Sequence, residues 1–527
     1  MSIEPSSGAP TAPIEISGGA AEATGRLTAP VVLLDDDLLG RLRAACADVR
    51  LDPGELAEAS RDWWPLAMVW ATHGKVGQVA GALVRPTSTD EVAAVLRVCD
   101  GARVPVTPAG GRSSVVGGTV PVHGGVLLDL TAMAGIEDVD AESGIVQVLA
   151  GTFGDLFEEE LQRDHQLTVG HWPQSMSLST VGGWLACRGV GQLSNRYGKI
   201  EEIVVGLEVV LPSGQVIRTG GQPRQAVGPD LNQLFVGAEG TLGVITRAWL
   251  QAHPAPHHTA KGAWSFPTFS EALSAMRRII QRGAPVAVLR LYDGIESERN
   301  FGTERTDNVL LAYDEGDATM VGAAMAVADA ECAGARRLDD ALVDQWFGHR
   351  NDVAALEGLI SKGYVVDTME ISAPWSKLDA IYEAAVAAIS AVPGTLAASA
   401  HQSHSYRTGA CLYFTFAGGV EPDEREAYYV AAWDAGTRAV LANGGSLSHH
   451  HAVGLNRARF VPEALGGGVD VLAAVKAALD PNGICNPGKL GLPDPFGGQA
   501  WPSAGAGAAA PAVGSAAPSG DDEGGAS

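Results

Sequence analysis

The sequence predicts an α+β protein built from two domains, and three observations predict it. Residues 79–254 interleave short apolar strands with amphipathic helices in a mixed order. Residues 255–445 carry helices and strands in a different rhythm, as expected of an antiparallel sheet with helices on one side. At 527 residues, 46% hydrophobic and 18% charged, the chain is long enough to bury more than one core.

Residues 1–28 are rich in Ala, Gly, Pro, Ser and Glu, which predicts a disordered N-terminus. A helical lead-in over 29–78 follows, with Leu34, Leu38, Leu39 and Leu42 at helical spacing. Ala82-Leu83-Val84-Arg85-Pro86 reads as a strand stopped by proline. Thr89 is placed to cap a helix running to about Gly101, with Asp90 and Glu91 in its first turn. Residues 125–130 and 145–150 read as strands. Residues 203–211 and 215–219 read as a strand pair around Pro212-Ser213-Gly214. Beyond Pro254-Ala255-Pro256, helices are expected near 270–282, 317–334 and 376–391, and strands at 286–291, 309–313 and 411–417. A C-terminal segment, 446–492, is expected to return to the active site. The tail 497–527 reads as low complexity and disordered.

The formal charge of −25 excludes a general basic surface, so nucleic acid is not an expected partner. The six cysteines are scattered and form no CxxC pair, which argues against a zinc cluster or disulfide scaffold and fits a reducing cytoplasm. A basic region followed by an apolar stretch is not seen at the N-terminus. A run of about 18 apolar residues is not seen either. The ending Gly-Gly-Ala-Ser is no peroxisomal address. The expected location is cytoplasmic.

Four segments carry small residues, hydroxyls and free amides suited to a long polar ligand. The first is Pro108-Ala109-Gly110-Gly111-Arg112-Ser113-Ser114, after the strand-like run 104–107. Successive glycines let backbone N–H groups face one concavity that holds an anion. The second is Gly170-His171-Trp172-Pro173-Gln174-Ser175-Met176-Ser177-Leu178-Ser179-Thr180-Val181-Gly182-Gly183. The third is Cys187-Arg188-Gly189-Val190, leading to Tyr197-Gly198-Lys199-Ile200-Glu201. The fourth is Glu239-Gly240-Thr241-Leu242-Gly243-Val244-Ile245. Any one of them is equally a simple turn. GxGxxG after a strand and GxxxxGK[ST] are both absent.

Together these segments resemble the vanillyl-alcohol-oxidase superfamily of FAD-binding flavoproteins, over roughly residues 80–490. Within it the resemblance is to the alkylglycerone-phosphate synthase branch. The telling pieces are Gly170-His171-x-Pro173, Ser179-Thr180-Val181-Gly182-Gly183-Trp184, Tyr197-Gly198-x-Ile200-Glu201, Tyr413-Phe414-Thr415-Phe416 and His449-His450-His451. The resemblance implies a two-subdomain, PCMH-type FAD-binding domain over 79–254 and a substrate cap over 255–445. Residues 108–114 would grip the pyrophosphate, and 174–180, 187–190 and 239–245 would line the rest of the FAD. Many covalent members place a flavin-linked histidine at the end of the first loop. Arg112 stands there, which implies non-covalent FAD.

Tyr413 on its own is an ordinary core tyrosine with one partner; the resemblance makes it an acid/base at the flavin face. If the triplet were extended, His449 and His451 would share a face and His450 would point away. With no cysteine or carboxylate beside it, no metal site is expected. The three imidazoles and His171 are instead expected to line the active site, although His171 is equally a structural histidine. Arg188 is placed to meet an anion or to pair with Glu201 or Glu202.

One departure concerns the substrate. The synthase branch carries an Arg-Asp pair before its Glu-Thr-x-x-x-Trp stretch, and that arginine is linked to the anionic head group. Here Leu356-Glu357 stand at that place, with Arg350 and Lys362 as the candidate substitutes. Two activities follow. One is exchange of the acyl chain of acyl-dihydroxyacetone phosphate for a fatty alcohol, with Tyr413 shuttling a proton. The other is oxidation of a 2-hydroxy acid or another hydroxylated substrate. A small or lipid-like substrate is expected in either case, with peripheral membrane contact and a homodimer left open.

Overall fold

The computed structural model describes residues 12–353, 356–498 and 501–502. Three sheets organise it. In the first, strands Val49–Arg50, Ala82–Val84, Val126–Asp129 and Val106–Ala109 lie side by side in that order. The last three run parallel to one another. Such pairing needs a crossover, and helix Thr89–Ala102 supplies it between Ala82–Val84 and Val106–Ala109. Ser88, not Thr89, caps this helix: its hydroxyl accepts the Glu91 N–H at 3.2 Å, while the Thr89 hydroxyl donates to Glu208 at 2.8 Å. Val92, Val95, Leu96 and Cys99 turn one face into the core.

The second sheet is antiparallel, in the order Val216–Gly220, Val204–Val210, Val244–Gln251, Ile145–Leu149, Ile136–Asp140. The two sheets are the two halves expected of the first domain. The third is a seven-stranded antiparallel sheet spanning residues 258–418. Helices Phe269–Gln281, Ala318–Glu331, Leu378–Ser390 and Arg425–Ala442 cover one face. The strands Val288–Tyr292, Asn308–Gly316 and Gly409–Gly418 fall where apolar runs predict them. Val365–Pro374 and Thr395–Ser405 do not announce themselves, since they bury Asp367, Glu370, Ser399, Gln402, Ser403 and His404.

The expectation of disorder over 1–28 is corrected for residues 12–28. Ile14, Ile16 and Leu27 are buried, and Arg61 donates to the carbonyls of Ile14 and Ala12. Thr24–Gly25 pairs in parallel with Lys75–Val76. Low-complexity composition does not prevent a segment from packing when a buried cation collects its carbonyls. The lead-in is more than a connector. Helix Pro65–Ala71 is buried throughout, and the Trp64 indole donates to the Tyr429 hydroxyl at 2.8 Å. Trp501, from the expected tail, packs on Trp64 and donates to Glu426 at 3.1 Å; residues 1–11 and 503–527 lie outside the described residues. The C-terminal segment re-enters the first sheet, where Val106 and Asn486 N–H groups bond to the Ile484 and Val106 carbonyls at 2.8 Å.

Candidate active site

Strand Val106–Ala109 ends where the first glycine loop begins. A Cβ on Gly110 would stand 2.2 Å from the Thr180 hydroxyl, and one on Gly111 would stand 1.8 Å from the Leu178 carbonyl oxygen. Loops 108–114 and 174–180 therefore touch backbone to backbone, which only glycine permits. Between the two sheets of the first domain lies a cleft lined by residues from both.

Pro108, Ala109, Gly110, Ser114, Thr180, Cys187, Glu239, Gly240, Gly243, Val244 and Ile245 line this cleft. Other residues singled out by sequence stand behind it. Arg112 turns back into the domain and pairs with Asp129 at 3.0 Å. The Gln174 amide donates to the Asp352 carbonyl at 3.1 Å. Met176, Leu178 and Leu242 are buried in hydrophobic clusters. The Ser179 hydroxyl takes the Trp184 indole N–H at 2.7 Å, and the Thr241 hydroxyl donates to the Ala238 carbonyl at 2.7 Å. Ser175 accepts the N–H groups of Leu178 and Ser179 within the same loop, and Gly189 bonds back to the Trp184 carbonyl. Gly111, Ser113, Ser177 and Val190 are not on the cleft wall either. Arg188 takes the bland option, 3.4 Å from Glu201 and hydrogen-bonded to Gln233. Gly182 and Gly183, from the second segment, also line the cleft, and residues that sequence reasoning missed include Gly118, Thr119 and Ala452. The Gly117-Gly118 pair just past the first loop was the signal available for two of them.

Strand Gly409–Gly418 alternates more cleanly than its composition suggests. Leu412, Phe414 and Phe416 enter the cap core, and Tyr413 and Thr415 occupy the alternate positions that face the other way. The Tyr413 hydroxyl meets His450 Nε2 at 2.8 Å and His451 Nε2 at 2.7 Å. This corrects the expectation that His450 would point away from a shared face. The triplet is not a strand: it wraps around the Glu370 carboxylate, which accepts the N–H groups of His449, His450 and His451 and the Ser448 hydroxyl. Arg457, fully buried like Glu370, pairs with that carboxylate at 2.9 Å. Burial would raise the Glu370 pKa, but Arg457 and the donors around it outweigh burial and hold it near about 2.

The remaining bonds extend the cluster. His449 Nδ1 meets His450 Nδ1 at 2.8 Å, and His449 Nε2 meets the Tyr406 hydroxyl at 2.7 Å. His401 stacks on Tyr413 at 4.8 Å and bonds to Glu296 at 2.8 Å. Burial, reinforced for His449 by Lys199, pushes the imidazoles down: His449 to about 3, His451 to about 4 and His450 well below its usual range. Burial pushes the Tyr413 phenol well up. The resting centre is a neutral phenol among neutral imidazoles.

The expectation that no cysteine neighbours the triplet is also corrected. Donor atoms of Cys411, His449 and His450 lie within 4.8 Å of one another. The ring nitrogens of both histidines are hydrogen-bonded to Tyr406, to Tyr413 and to each other. His171 stands apart from these bonds. It is 1% exposed, its ring lies 4.6 Å from Trp184, and neither ring nitrogen has a protein partner. A buried imidazole with two orphaned nitrogens fits a polar group supplied by a ligand.

Two arginines sit at the cap. Arg290 and Arg350 flank the Trp346 ring at 5.5 and 5.9 Å, and Arg350 also lies over Trp172 and Phe347. Arg290 Nε and Arg350 Nη1 are buried without a hydrogen bond, and neither arginine forms an ion pair among the described residues. Lys362, the other candidate substitute, is exposed.

Known proteins share this architecture. Residues 80–220 match the FAD binding domain model, and residues 255–490 match the C-terminal domain of FAD linked oxidases. The chain is 30% identical over 486 residues to the alkyldihydroxyacetonephosphate synthase of Trypanosoma brucei brucei, covering 84% of this chain and 77% of that one. It is 31% identical over 432 residues to the uncharacterized FAD-linked oxidoreductase YgcU of Escherichia coli (strain K12), covering 78% and 89%. A solved alkyldihydroxyacetonephosphate synthase has the same fold, with a TM-score of 0.75 at 24% identity over 92% of this chain and 89% of that one. The chain belongs to the FAD-linked oxidase family of vanillyl-alcohol-oxidase-type flavoproteins, and FAD is its cofactor.

Proposed function

We propose that this flavoenzyme acts as an alkylglycerone-phosphate synthase, exchanging the acyl chain of an acyl ketone phosphate for a fatty alcohol. The observation that supports this best is the Tyr413 hydroxyl held between His450 and His451 at 2.8 and 2.7 Å. One imidazole can take the phenolic proton while the other donates to the oxygen that remains. Tyr413 can then remove a proton from the carbon that bears the acyloxy group and return it later. The fatty acid leaves as its carboxylate, and the alcohol oxygen bonds to that carbon and releases its own proton. Likeness to two synthases, in sequence and in fold, supports the same reading.

The residues lining the cleft, from Gly110 and Ser114 to Thr180, Gly182 and Gly240, would hold the FAD, whose ring would supply a nucleophilic nitrogen, N5. Arg290 and Arg350 would hold the anionic head group, standing in for the pair replaced by Leu356-Glu357. Trp346, between them, fixes both guanidinium planes by cation–π contact.

A second reading, oxidation of a 2-hydroxy acid, is favoured by that same replacement and by the likeness, at 29% identity, to the glycolate oxidase subunit GlcD of Bacillus subtilis (strain 168). The two separate in an anaerobic substrate screen of the holoenzyme. Exchange of labelled fatty alcohol into an acyl ketone phosphate, with the visible flavin band intact, is the expected result. Bleaching by a hydroxy acid without exchange would refute the transferase reading. Tyr413→Phe is expected to keep FAD and lose turnover by about 100-fold or more; full activity would remove Tyr413 from the mechanism.

A further inference from the structure

The imidazoles around Tyr413 do more than receive its proton. Three hydrogen bonds follow one another without a break: Tyr413 hydroxyl to His450 Nε2 at 2.8 Å, His450 Nδ1 to His449 Nδ1 at 2.8 Å, and His449 Nε2 to the Tyr406 hydroxyl at 2.7 Å. Each imidazole uses both ring nitrogens, so neither is a dead end. We propose that Tyr406 is the outer end of a proton relay that connects Tyr413, through His450 and His449, to groups outside the reacting centre. The proposal rests on the acid/base role of Tyr413 argued above. No sequence motif points to Tyr406.

The proton balance closes. A proton entering His450 at Nε2 is matched by one leaving Nδ1 to His449. A proton entering His449 at Nδ1 is matched by one leaving Nε2 to the Tyr406 oxygen. Tyr406 in turn gives up its own hydroxyl proton to solvent or buffer. Every bond in the chain then reverses polarity, and the return of a proton to Tyr413 resets it. Nothing is oxidised or reduced.

Tyr406 is suited to the end position. It is half-buried, at the end of the hairpin between strands Thr395–Ser405 and Gly409–Gly418. His451, by contrast, bonds to Tyr413 through Nε2, while its Nδ1 makes no hydrogen bond and faces, at 3.7 Å, only the Glu370 carboxylate, which is buried and held by Arg457, so it leads no further outward. The path therefore runs through His450.

The surrounding charges disfavour trapping the proton on the way. Lys199 Nζ donates to the His449 carbonyl at 3.0 Å and is held by Glu201 at 3.0 Å. Its positive charge lowers the pKa of His449, His450 and His404 alike. Glu370 and His451 also face His449, acting in opposite senses, and Glu201, Glu202 and Cys411 face Tyr406. Glu370 and Cys411 face Tyr413 and oppose loss of its proton, and Arg290 and Arg457 face it and favour that loss. His404 stacks on His449 at 5.3 Å and bonds through Nδ1 to Ser194, so it flanks the chain without joining it.

The test is Tyr406→Phe in the full-length holoenzyme, assayed with whichever substrate class the wild type turns over. The ring packing stays and only the last hydroxyl is lost. FAD occupancy and KM are expected to match the wild type, while kcat falls about tenfold or more. Added imidazole buffer should restore kcat several-fold in the variant and leave the wild type unchanged, because a mobile base replaces the missing end of the relay. A structural role would not respond to buffer. An unchanged kcat, or a lowered kcat that buffer does not restore, overturns the relay. If Tyr406→Phe fails to fold, His449→Gln interrupts the same chain one link inward and is subject to the same buffer criterion. Full activity of Tyr413→Phe would instead overturn the acid/base reading beneath it, so the two failures are distinguishable.

Discussion

Replacing Glu370 by glutamine should cost the protein both stability and its histidine turn. The Glu370 carboxylate is fully buried, pairs with Arg457 at 2.9 Å and accepts the N–H groups of three consecutive histidines. Its pKa lies at about 2 against an ordinary 4.5; that gap corresponds to about 3 kcal/mol of stability. Leaving Arg457 buried without its counter-charge gives a similar figure, about 3–5 kcal/mol. The sign follows from the depressed value. The contribution is complete above the unfolded pKa near 4.5 and is lost as pH falls towards about 2.

Urea unfolding of the holoenzyme, followed by tryptophan fluorescence, measures this. Glu370→Gln should be less stable by about 3 kcal/mol at pH 7, and the difference should narrow by about 1 kcal/mol at pH 3.5. The double variant Glu370→Gln with Arg457→Met should recover part of the loss, because no lone charge stays buried. Turnover should fall in both, since the N–H groups of 449–451 lose the carboxylate that gathers them. A loss below about 1 kcal/mol at pH 7, or one that does not change with pH, would refute the reasoning.

Other consequences are simpler to read. Gly111→Ala places a methyl 1.8 Å from the Leu178 carbonyl oxygen, so the purified protein should emerge without FAD or insoluble; yellow, soluble protein would contradict the loop contact. Arg290→Met and Arg350→Met should each raise KM for an anionic substrate by about 10- to 100-fold with FAD retained, as expected for a lost charged hydrogen bond. Equal KM values would place the head group elsewhere. Acid precipitation of the holoenzyme should leave FAD in the supernatant and a colourless pellet. Arg112 is committed to Asp129 and offers no atom for a flavin bond. A yellow pellet would show a covalent link through another residue.

The first domain was largely legible because its function is carried by backbone. Gly110, Gly182 and Gly240 line the cleft because they lack side chains, and a residue chosen for that reason is visible in the sequence itself. Neighbours that line the cleft with ordinary side chains, such as Leu130 and Phe235, carry no such mark. Arg112 shows the converse: its position in the motif was legible, but its partner, Asp129, comes from an adjacent strand and was not.

The cap was less legible because its working strands are buried and polar together. Thr395–Ser405 is Thr-Leu-Ala-Ala-Ser-Ala-His-Gln-Ser-His-Ser, with neither the alternation of a half-buried strand nor the apolar run of a buried one. It is stable as a strand because its polar groups are paired across the domain: Ser399 and His401 with Glu296, His404 with Ser194, and the Ser405 N–H with Asn195. The His triplet fails the strand rule for the same reason. Period-two reasoning assumes the backbone is satisfied by a neighbouring strand. Here a single carboxylate from Val365–Pro374 takes three successive N–H groups, bending the chain so that adjacent imidazoles converge on one phenol. Glu370 stands directly across the sheet from Tyr413, and by gathering the triplet's backbone it decides which imidazoles reach the phenol. The chemistry of the centre is therefore written partly in a buried acid 79 residues before the first histidine it holds.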